Sequence, residues 1–219
     1  MGLVVLHPYS LLGGSMNDAI VTEVMRQSQA LKYFGAVLCY NMRGVGGSEG
    51  NKMSARNLFG SGQEDAADVH HVIDWLVARM QEVHTGSEKH IALVGYSFGA
   101  ALAAQAIEHV RVSAYAGISV PIGTLASSLL RTRTYCNSLF SSDKRKLILV
   151  GDQDQYTSIQ QLERMLSSHV DTDHGSVSLQ QAGSVAGIHV HVFENNDHFW
   201  GNDHALMVET LMAWLVEQT

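Results

Sequence analysis

A serine flanked by two glycines, at the point where an apolar run meets a run of small residues, most constrains the fold of this chain. The largely apolar residues 90–95 lead to Ser97 and residues 98–109 follow it, which predicts a strand, a very tight turn and a helix. Gly95 and Gly99 suit this turn because a Cβ atom at either position would collide with neighbouring chain. The hydroxyl would then stand beside the free N–H groups of a helix N-terminus. On its own, the pentapeptide also fits an ordinary turn with an incidental serine.

The charge balance argues against a nucleic-acid partner. Fourteen basic and twenty-one acidic residues give a net charge of −7, whereas nucleic-acid surfaces need clustered Lys and Arg. The one dense basic run, Lys144-Arg145-Lys146, precedes an apolar segment, and we interpret it as a solvated strand entry. The sequence has two cysteines and shows no recognisable signal peptide or membrane span, which favours a cytoplasmic protein without a membrane partner.

Strand-like and helix-like segments alternate along the whole sequence, which predicts a mainly parallel sheet with crossover helices. We expect six strands, at residues 2–7, 36–41, 90–95, 112–119, 146–150 and 188–193. We expect six helices, at residues 17–33, 63–84, 98–109, 124–140, 158–169 and 205–217. Residues 1–219 should form a single domain, in which the polar stretch 171–187 is a flexible surface insertion.

Two of the later predicted strands are followed by residues that could activate this serine. A serine hydroxyl is a poor nucleophile at neutral pH, so it needs a base, and the base needs an orienting acid. Asp152 and Asp154 follow the fifth predicted strand, and His198 follows the sixth. The carboxyl ends of parallel strands share one edge of the sheet, so these groups should meet Ser97 there. Asp152 and Asp154 are both candidates for the acid.

Two further histidines are alternatives to His198 as the base. His189 and His191 lie within the sixth predicted strand, where a packed or rim histidine is the more ordinary role. Their rings share one face of the strand, but no cysteine or carboxylate completes a recognisable metal-ligand spacing. We therefore expect no metal ion and no other cofactor.

Five motifs, in family order, give the chain a resemblance to the α/β-hydrolase superfamily. The motifs are His7-Pro8 with Gly13-Gly14-Ser15-Met16-Asn17, Arg43-Gly44-Val45-Gly46 with Ser48-Glu49-Gly50, Gly95-Tyr96-Ser97-Phe98-Gly99, Gly151-x-x-Asp154, and Asp197-His198-Phe199. The chain is most similar to the small, capless branch related to dienelactone hydrolases, although those enzymes carry cysteine where this chain has Ser97. The resemblance implies a three-layer α/β-hydrolase fold with a mainly parallel six-stranded sheet. Compared with the family, the chain lacks the usual N-terminal antiparallel strands, either because the sequence is short at its start or because the fold has lost an edge, and residues 119–143 are too short for a large cap.

The resemblance assigns chemical roles to single residues. Ser97 would be the nucleophile, His198 the general base, and Asp154 the acid that orients the imidazole. The backbone N–H groups of Phe98 and Tyr9 would form the oxyanion hole, which stabilises the negative charge that develops on the attacked carbonyl oxygen.

Other residues of the motifs should support or line the site. His7 is expected to hydrogen-bond within the loop after the first strand, and Arg43 to tie down the loop after the second. The resemblance implies an open, shallow site, with candidate walls at Tyr9, Tyr96, Pro121, Phe199 and Trp200. Each of these five side chains could equally belong to ordinary core packing.

The residues and the resemblance together predict a serine hydrolase that cleaves a small-molecule ester or thioester through an acyl-enzyme intermediate. Two alternatives remain open. One is a catalytically idle α/β-hydrolase fold that binds a small ligand or a protein, although such a module has no need of all three catalytic side chains. The other is an enzyme with the same three residues and a different acyl acceptor, such as a perhydrolase or a peptidase. The sequence does not indicate an oligomeric state.

Overall fold

The computed structural model describes residues 1–50, 63–83, 88–124, 128, 130–168, 187–201 and 204–217. Within these residues the strands are β1 (Gly2–Leu6), β2 (Ala36–Cys39), β3 (Ile91–Tyr96), β4 (Val112–Ile118), β5 (Arg145–Gly151) and β6 (Ile188–Phe193). The helices are α1 (Ala19–Leu31), α2 (Gln63–Val83), α3 (Phe98–Gln105), α4 (Thr132–Cys136), α5 (Ser138–Ser141), α6 (Ile159–Ser167) and α7 (His204–Val216). A short 3-10 helix covers Ser10–Leu12.

All neighbouring strands run parallel, in the order β2-β1-β3-β4-β5-β6. The chain moves outward from β1 to β2, returns to β3 on the other side of β1, and then continues strand by strand to β6. A reversal of strand order of this kind opens a crevice at the carboxyl ends of the strands, where open α/β sheets bind ligands. Ser97 directly follows β3, so it lies at that crevice.

Helices cover both faces of the sheet, which gives the three layers that the resemblance implies. On one face, Leu6 and Leu93 pack with Ile73 of α2 and with the small residues of α3. On the other face, Val5 and Val94 pack with the apolar sides of α1 and α7. Successive strand residues point to opposite faces, so strands covered on both sides need the almost unbroken apolar runs seen in the sequence.

Side-chain caps fix where two helices begin. The carboxylate of Asp18 accepts the backbone N–H of Ile20 at 2.9 Å and so starts α1. Ser158 and Gln161 form a reciprocal capping box at the start of α6, in which each side chain binds the backbone of the other residue. These contacts satisfy N–H groups that have no partner within the helix.

The basic run before β5 differs from its expected role. Lys146 is only 2 % exposed, and its ammonium group donates hydrogen bonds to the carbonyls of Leu139 at 2.8 Å and Ser142 at 2.6 Å. The interpretation as a solvated strand entry is therefore wrong for this residue. Burial lowers the pKa of the Lys146 ammonium, because a charged group loses hydration in the interior.

Two of the predicted helices differ from the structure, and one further prediction is not tested by it. The predicted helix 124–140 is not continuous, because Arg131 adopts a left-handed conformation with φ 54° and Asn137 separates α4 from α5. The helix after Ser97 ends at Gln105 rather than at residue 109. The predicted insertion at 171–187 lies outside the described residues, apart from Gly187. In the described part of the chain, no helix combines the length and apolarity needed to cross a membrane.

Candidate active site

The turn between β3 and α3 holds Ser97 in a strained backbone conformation, with φ 54° and ψ −121°. A Cβ atom on Gly95 would lie 2.4 Å from the Cα atom of Ala100, and one on Gly99 would lie 2.5 Å from the carbonyl oxygen of His7. Real Cβ atoms do not approach backbone atoms so closely. The prediction that both flanking positions require glycine is confirmed.

A continuous line of hydrogen-bond distances connects Ser97, His198 and Asp154. The Ser97 hydroxyl lies 2.9 Å from Nε2 of His198, whose Nδ1 lies 2.9 Å from Oδ2 and 3.1 Å from Oδ1 of Asp154. An ionised carboxylate only accepts hydrogen bonds, so Nδ1 carries the imidazole proton and Nε2 is free to accept the serine proton. All three side chains belong to buried residues.

Main-chain N–H groups hold the carboxylate of Asp154 in place. Its Oδ1 accepts hydrogen bonds from the amides of Tyr156 at 2.8 Å and Thr157 at 3.0 Å. These two bonds fix the plane of the carboxylate. Asp152, the alternative acid, is exposed. The carboxylate that contacts His198 is that of Asp154.

The loop that carries His198 is attached to β3 through the carbonyl of His198 and to the loop after β5 through its amide. Tyr96 donates its hydroxyl hydrogen to the carbonyl of His198 at 3.0 Å, and burial raises the pKa of this phenol, which keeps it a neutral donor. Gln155 accepts the backbone N–H of His198 at 3.2 Å. Neither contact was foreseen from the sequence. The available signal for Gln155 was its position directly after Asp154.

Burial favours the alternative of core packing for three of the five candidate walls. Tyr96 is 4 % exposed and Trp200 is 1 % exposed, and the indole N–H of Trp200 donates to the Ser119 hydroxyl at 2.9 Å. Both residues therefore support the site from the core instead of lining an open surface. Pro121 is buried as well. Of the other two candidates, Tyr9 is half-buried and Phe199 is broadly exposed, at 57 %.

The two residues expected to supply the oxyanion hole are neighbours in space. The rings of Tyr9 and Phe98 pack edge to face, with centroids 5.3 Å apart. Phe98 is the first residue of α3, where backbone N–H groups have no partner within the helix. The loop of Tyr9 is tight, because a Cβ atom on Gly14 would lie 2.1 Å from the carbonyl oxygen of Pro8.

His7 and Arg43 fasten the loops that surround the site. The buried ring of His7 lies 2.7 Å from the carbonyl of Pro8 and accepts the backbone N–H of Met42 on Nε2 at 2.9 Å, so Nδ1 is the donor to Pro8. The ring was expected to hydrogen-bond only within the loop after β1. It also binds the loop after β2 and so joins the two loops. Arg43 forms a bidentate ion pair with Asp68 of α2, at 2.6 and 2.7 Å.

The alternative bases lie elsewhere on the sheet. His189 and His191 are both exposed on β6, which is an edge strand. The imidazole that touches Ser97 belongs to His198. Among the residues that the structure describes, no group of three or more His, Cys, Asp or Glu side chains is arranged to hold a metal ion.

A family model described as X-Pro dipeptidyl-peptidase (S15 family) matches residues 6–206 of the sequence. The chain belongs to the S15 family. Its parallel sheet and its structural neighbours show that this S15-family protein has the α/β-hydrolase fold. The more specific likeness to dienelactone hydrolases stays a resemblance.

Several solved structures share the fold of this S15-family protein. An α/β serine hydrolase homologue from Coxiella burnetii superposes with a TM-score of 0.72 at 22 % identity, covering 99 % of this chain and 85 % of that one. A lidless α/β serine hydrolase from Xanthomonas campestris superposes with a TM-score of 0.68 at 23 % identity, covering 99 % of this chain and 81 % of that one.

A relative is also found by sequence. An uncharacterised protein from Rickettsia prowazekii is 28 % identical over 178 residues, which span 78 % of this chain and 66 % of that protein.

Proposed function

We propose that this protein is a serine hydrolase that cleaves a small-molecule ester or thioester through an acyl-enzyme intermediate. Ser97, His198 and Asp154 are its catalytic triad. One observation carries the proposal: an unbroken hydrogen-bonded path runs from the strained Ser97, through His198, to a carboxylate fixed by two backbone amides. A path of this geometry lets a neutral imidazole remove the serine proton while the carboxylate stabilises the imidazolium that forms.

In the acylation step, the Ser97 hydroxyl oxygen bonds to the substrate carbonyl carbon, and its proton passes to Nε2 of His198. The carbonyl oxygen becomes an oxyanion, which the backbone N–H groups of Phe98 and Tyr9 stabilise. Nε2 then returns the proton to the leaving oxygen or sulfur as the bond to the carbonyl carbon breaks. A water molecule then attacks the carbonyl carbon of the acyl-enzyme and gives its proton to Nε2 of His198. Nε2 returns the proton to the Ser97 oxygen as the ester bond breaks, and the carboxylic acid is released. Ser97 and His198 are buried, so the electrostatic interactions that stabilise the charges formed in each step are stronger than they would be in water.

A fluorophosphonate probe tests the nucleophile directly. We expect the wild-type protein to gain one covalent adduct, located at Ser97 by peptide mass spectrometry, and to hydrolyse p-nitrophenyl acetate. The Ser97→Ala variant should show neither the adduct nor the turnover. An adduct that persists in Ser97→Ala would overturn the assignment. A folded wild-type protein that reacts with neither reagent would favour the idle, ligand-binding alternative.

The family match favours a second candidate, a peptidase. The description of the family names X-Pro dipeptidyl-peptidase activity, and the same triad can expel an amine if His198 protonates it. Glycyl-prolyl-p-nitroanilide and p-nitrophenyl acetate separate the two candidates, because one carries an amide leaving group and the other an ester. Turnover of the ester alone supports the esterase assignment. Ser97-dependent release of p-nitroaniline would assign peptidase activity instead.

A further inference from the structure

Aromatic rings surround the imidazole of His198. The ring of Tyr156 packs edge to face against it with centroids 4.5 Å apart, and the ring of Phe199 does so at 5.4 Å. The rings of Tyr156 and Phe199 also meet each other, at 6.2 Å. Tyr96 lies on the buried side, at 5.9 Å. We call Tyr156 and Phe199, the two rings that reach solvent, the aromatic shelf.

The backbone under the aromatic shelf is held by hydrogen bonds to neighbouring loops. The amide of Tyr156 donates to Asp154, and its carbonyl accepts the N–H of Gly123 at 2.8 Å. The amide of Phe199 donates to the Asp197 carboxylate at 3.0 Å. Phe199 is nevertheless 57 % exposed. A large aromatic side chain that is exposed, stands on a hydrogen-bonded backbone and touches a second ring beside a reactive group is suited to contact with a ligand.

The position of the aromatic shelf relative to His198 indicates which part of a substrate it meets. In the mechanism proposed above, Nε2 of His198 donates its proton to the leaving group, which must therefore lie within hydrogen-bond reach of this ring. The carbonyl oxygen instead points towards Phe98 and Tyr9, whose amides would bind it, so the oxygen and the leaving group lie in different directions from the carbonyl carbon. Side chains that flank His198 on its open side thus contact the leaving group.

We propose that Tyr156 and Phe199 form a leaving-group subsite that prefers a flat aromatic group, so that the favoured substrates are esters of arylmethyl or related aromatic alcohols. This inference rests on the proposed function and specifies its substrate class. The physical basis is the quadrupole of the aromatic ring, which favours offset-stacked and edge-to-face contacts over contact with an aliphatic ring of similar size.

Two esters that differ only in the leaving group test the subsite. Benzyl acetate and cyclohexylmethyl acetate share the acyl group and have leaving groups of similar size and basicity. The ratio of their kcat/KM values should favour benzyl acetate in the wild type. In Phe199→Leu and in Tyr156→Leu this ratio should fall by about twofold to tenfold, the range expected for loss of an aromatic pair. Leucine keeps an apolar side chain, so the ratio reports aromatic contact.

Two controls make the test specific. Val110→Ala changes a side chain that is 77 % exposed and lies just before β4, at the amino ends of the strands, whereas the proposed site lies at their carboxyl ends. This variant should leave the ratio at the wild-type value. Methyl phenylacetate and methyl cyclohexylacetate place the same two rings on the acyl side, and the ratio of their kcat/KM values should not change in the two shelf variants.

Two outcomes would overturn the subsite while leaving the nucleophile intact. In one, the wild type carries the fluorophosphonate adduct on Ser97, but the benzyl to cyclohexylmethyl ratio is the same in wild type and both shelf variants. In the other, the loss appears in the acyl-side pair of esters. Absence of the Ser97 adduct from the wild type would instead remove the proposed function on which the subsite depends. Far-UV circular dichroism of each variant confirms that a changed ratio comes from a folded protein.

Discussion

Tyr96 and His198 are joined by a hydrogen bond of 3.0 Å from the phenol hydroxyl to the main-chain carbonyl. The residue immediately before the proposed nucleophile therefore holds the loop that carries the proposed base. Tyr96 is the last residue of β3 and is buried. This bond therefore joins the loop that carries His198 to a central strand of the sheet. We therefore expect this bond to help align Ser97 with His198.

Replacement of Tyr96 by phenylalanine removes this hydroxyl and keeps the ring. We expect the Tyr96→Phe variant to lose about 1 kcal/mol in the free energy of unfolding, the usual contribution of one hydrogen bond. Its kcat for p-nitrophenyl acetate should fall by about tenfold, because a displaced base is a poorer proton acceptor. Urea titration and steady-state kinetics measure the two effects. Tyr33→Phe, near the start of β2, is the control, and an equal loss of kcat there would contradict the prediction.

Replacement of Asp154 by asparagine tests the orienting acid. Oδ1 of Asp154 accepts two backbone N–H groups, so the amide oxygen of asparagine should take that position and turn its NH2 group towards Nδ1 of His198. The imidazole would then hold its proton on Nε2, where it cannot accept one from Ser97. We expect kcat for p-nitrophenyl acetate to fall about 1,000-fold to 10,000-fold. Exposed Asp152→Asn should retain wild-type turnover, and the reverse result would make Asp152 the acid.

A methyl group at position 99 should disrupt the turn that holds Ser97. The Cβ atom of Gly99→Ala would lie 2.5 Å from the backbone carbonyl oxygens of Leu6 and His7, which cannot move independently of β1. We expect a loss of about 2 kcal/mol or more in the free energy of unfolding, measured in urea. Gly47→Ala is the matched control, since nothing lies within 4 Å of its Cβ position. Equal stability of the two variants would show that the elbow tolerates a side chain.

The buried ring of His7 should make the protein less stable in mild acid. Burial lowers the pKa of His7 below its ordinary value of 6.5, so the unfolded chain takes up a proton that the folded chain does not. This contribution to stability is therefore present above pH 6.5 and is lost as the pH falls below that value.

Urea unfolding at about pH 7.5 and about pH 5.5 measures this dependence, because ordinary carboxylates remain ionised over that range. The decrease in the free energy of unfolding between the two conditions should be smaller in His7→Asn than in the wild type. His71→Asn, which changes an exposed ring, should behave like the wild type. An identical decrease in all three proteins would contradict the role assigned to burial.

The sequence predicts features that depend on neighbours along the chain. Short apolar runs that alternate with helix-like segments indicate the six parallel strands, and the two glycines around Ser97 indicate the tight turn. The positions of Asp154 and His198 after consecutive strands of the sheet follow from the same alternation, because parallel strands end at one edge.

Features that depend on contacts between distant segments are the ones that the sequence does not indicate. The ring of Tyr156 reaches His198 across 42 positions of the chain, and no local pattern marks that contact. Trp200 follows an exposed phenylalanine yet is buried, because its indole N–H finds Ser119 on another strand end. Lys146 belongs to a basic run whose composition predicts a solvated surface, but nearby carbonyls bind its ammonium in the interior.

The close approach of Gly99 to the backbone of Leu6 and His7 has a consequence for how this site could change over time. It places the main chain that carries Ser97 against the main chain that leads to Tyr9. In the proposed mechanism, this backbone packing sets the spacing between the nucleophile and the second oxyanion donor. We expect that side chains at the rim of the site, Phe199 among them, can be exchanged without altering that spacing. Under the proposed function, the reaction and the choice of substrate therefore depend on separate sets of atoms, so that new specificities can arise while the chemical step is preserved.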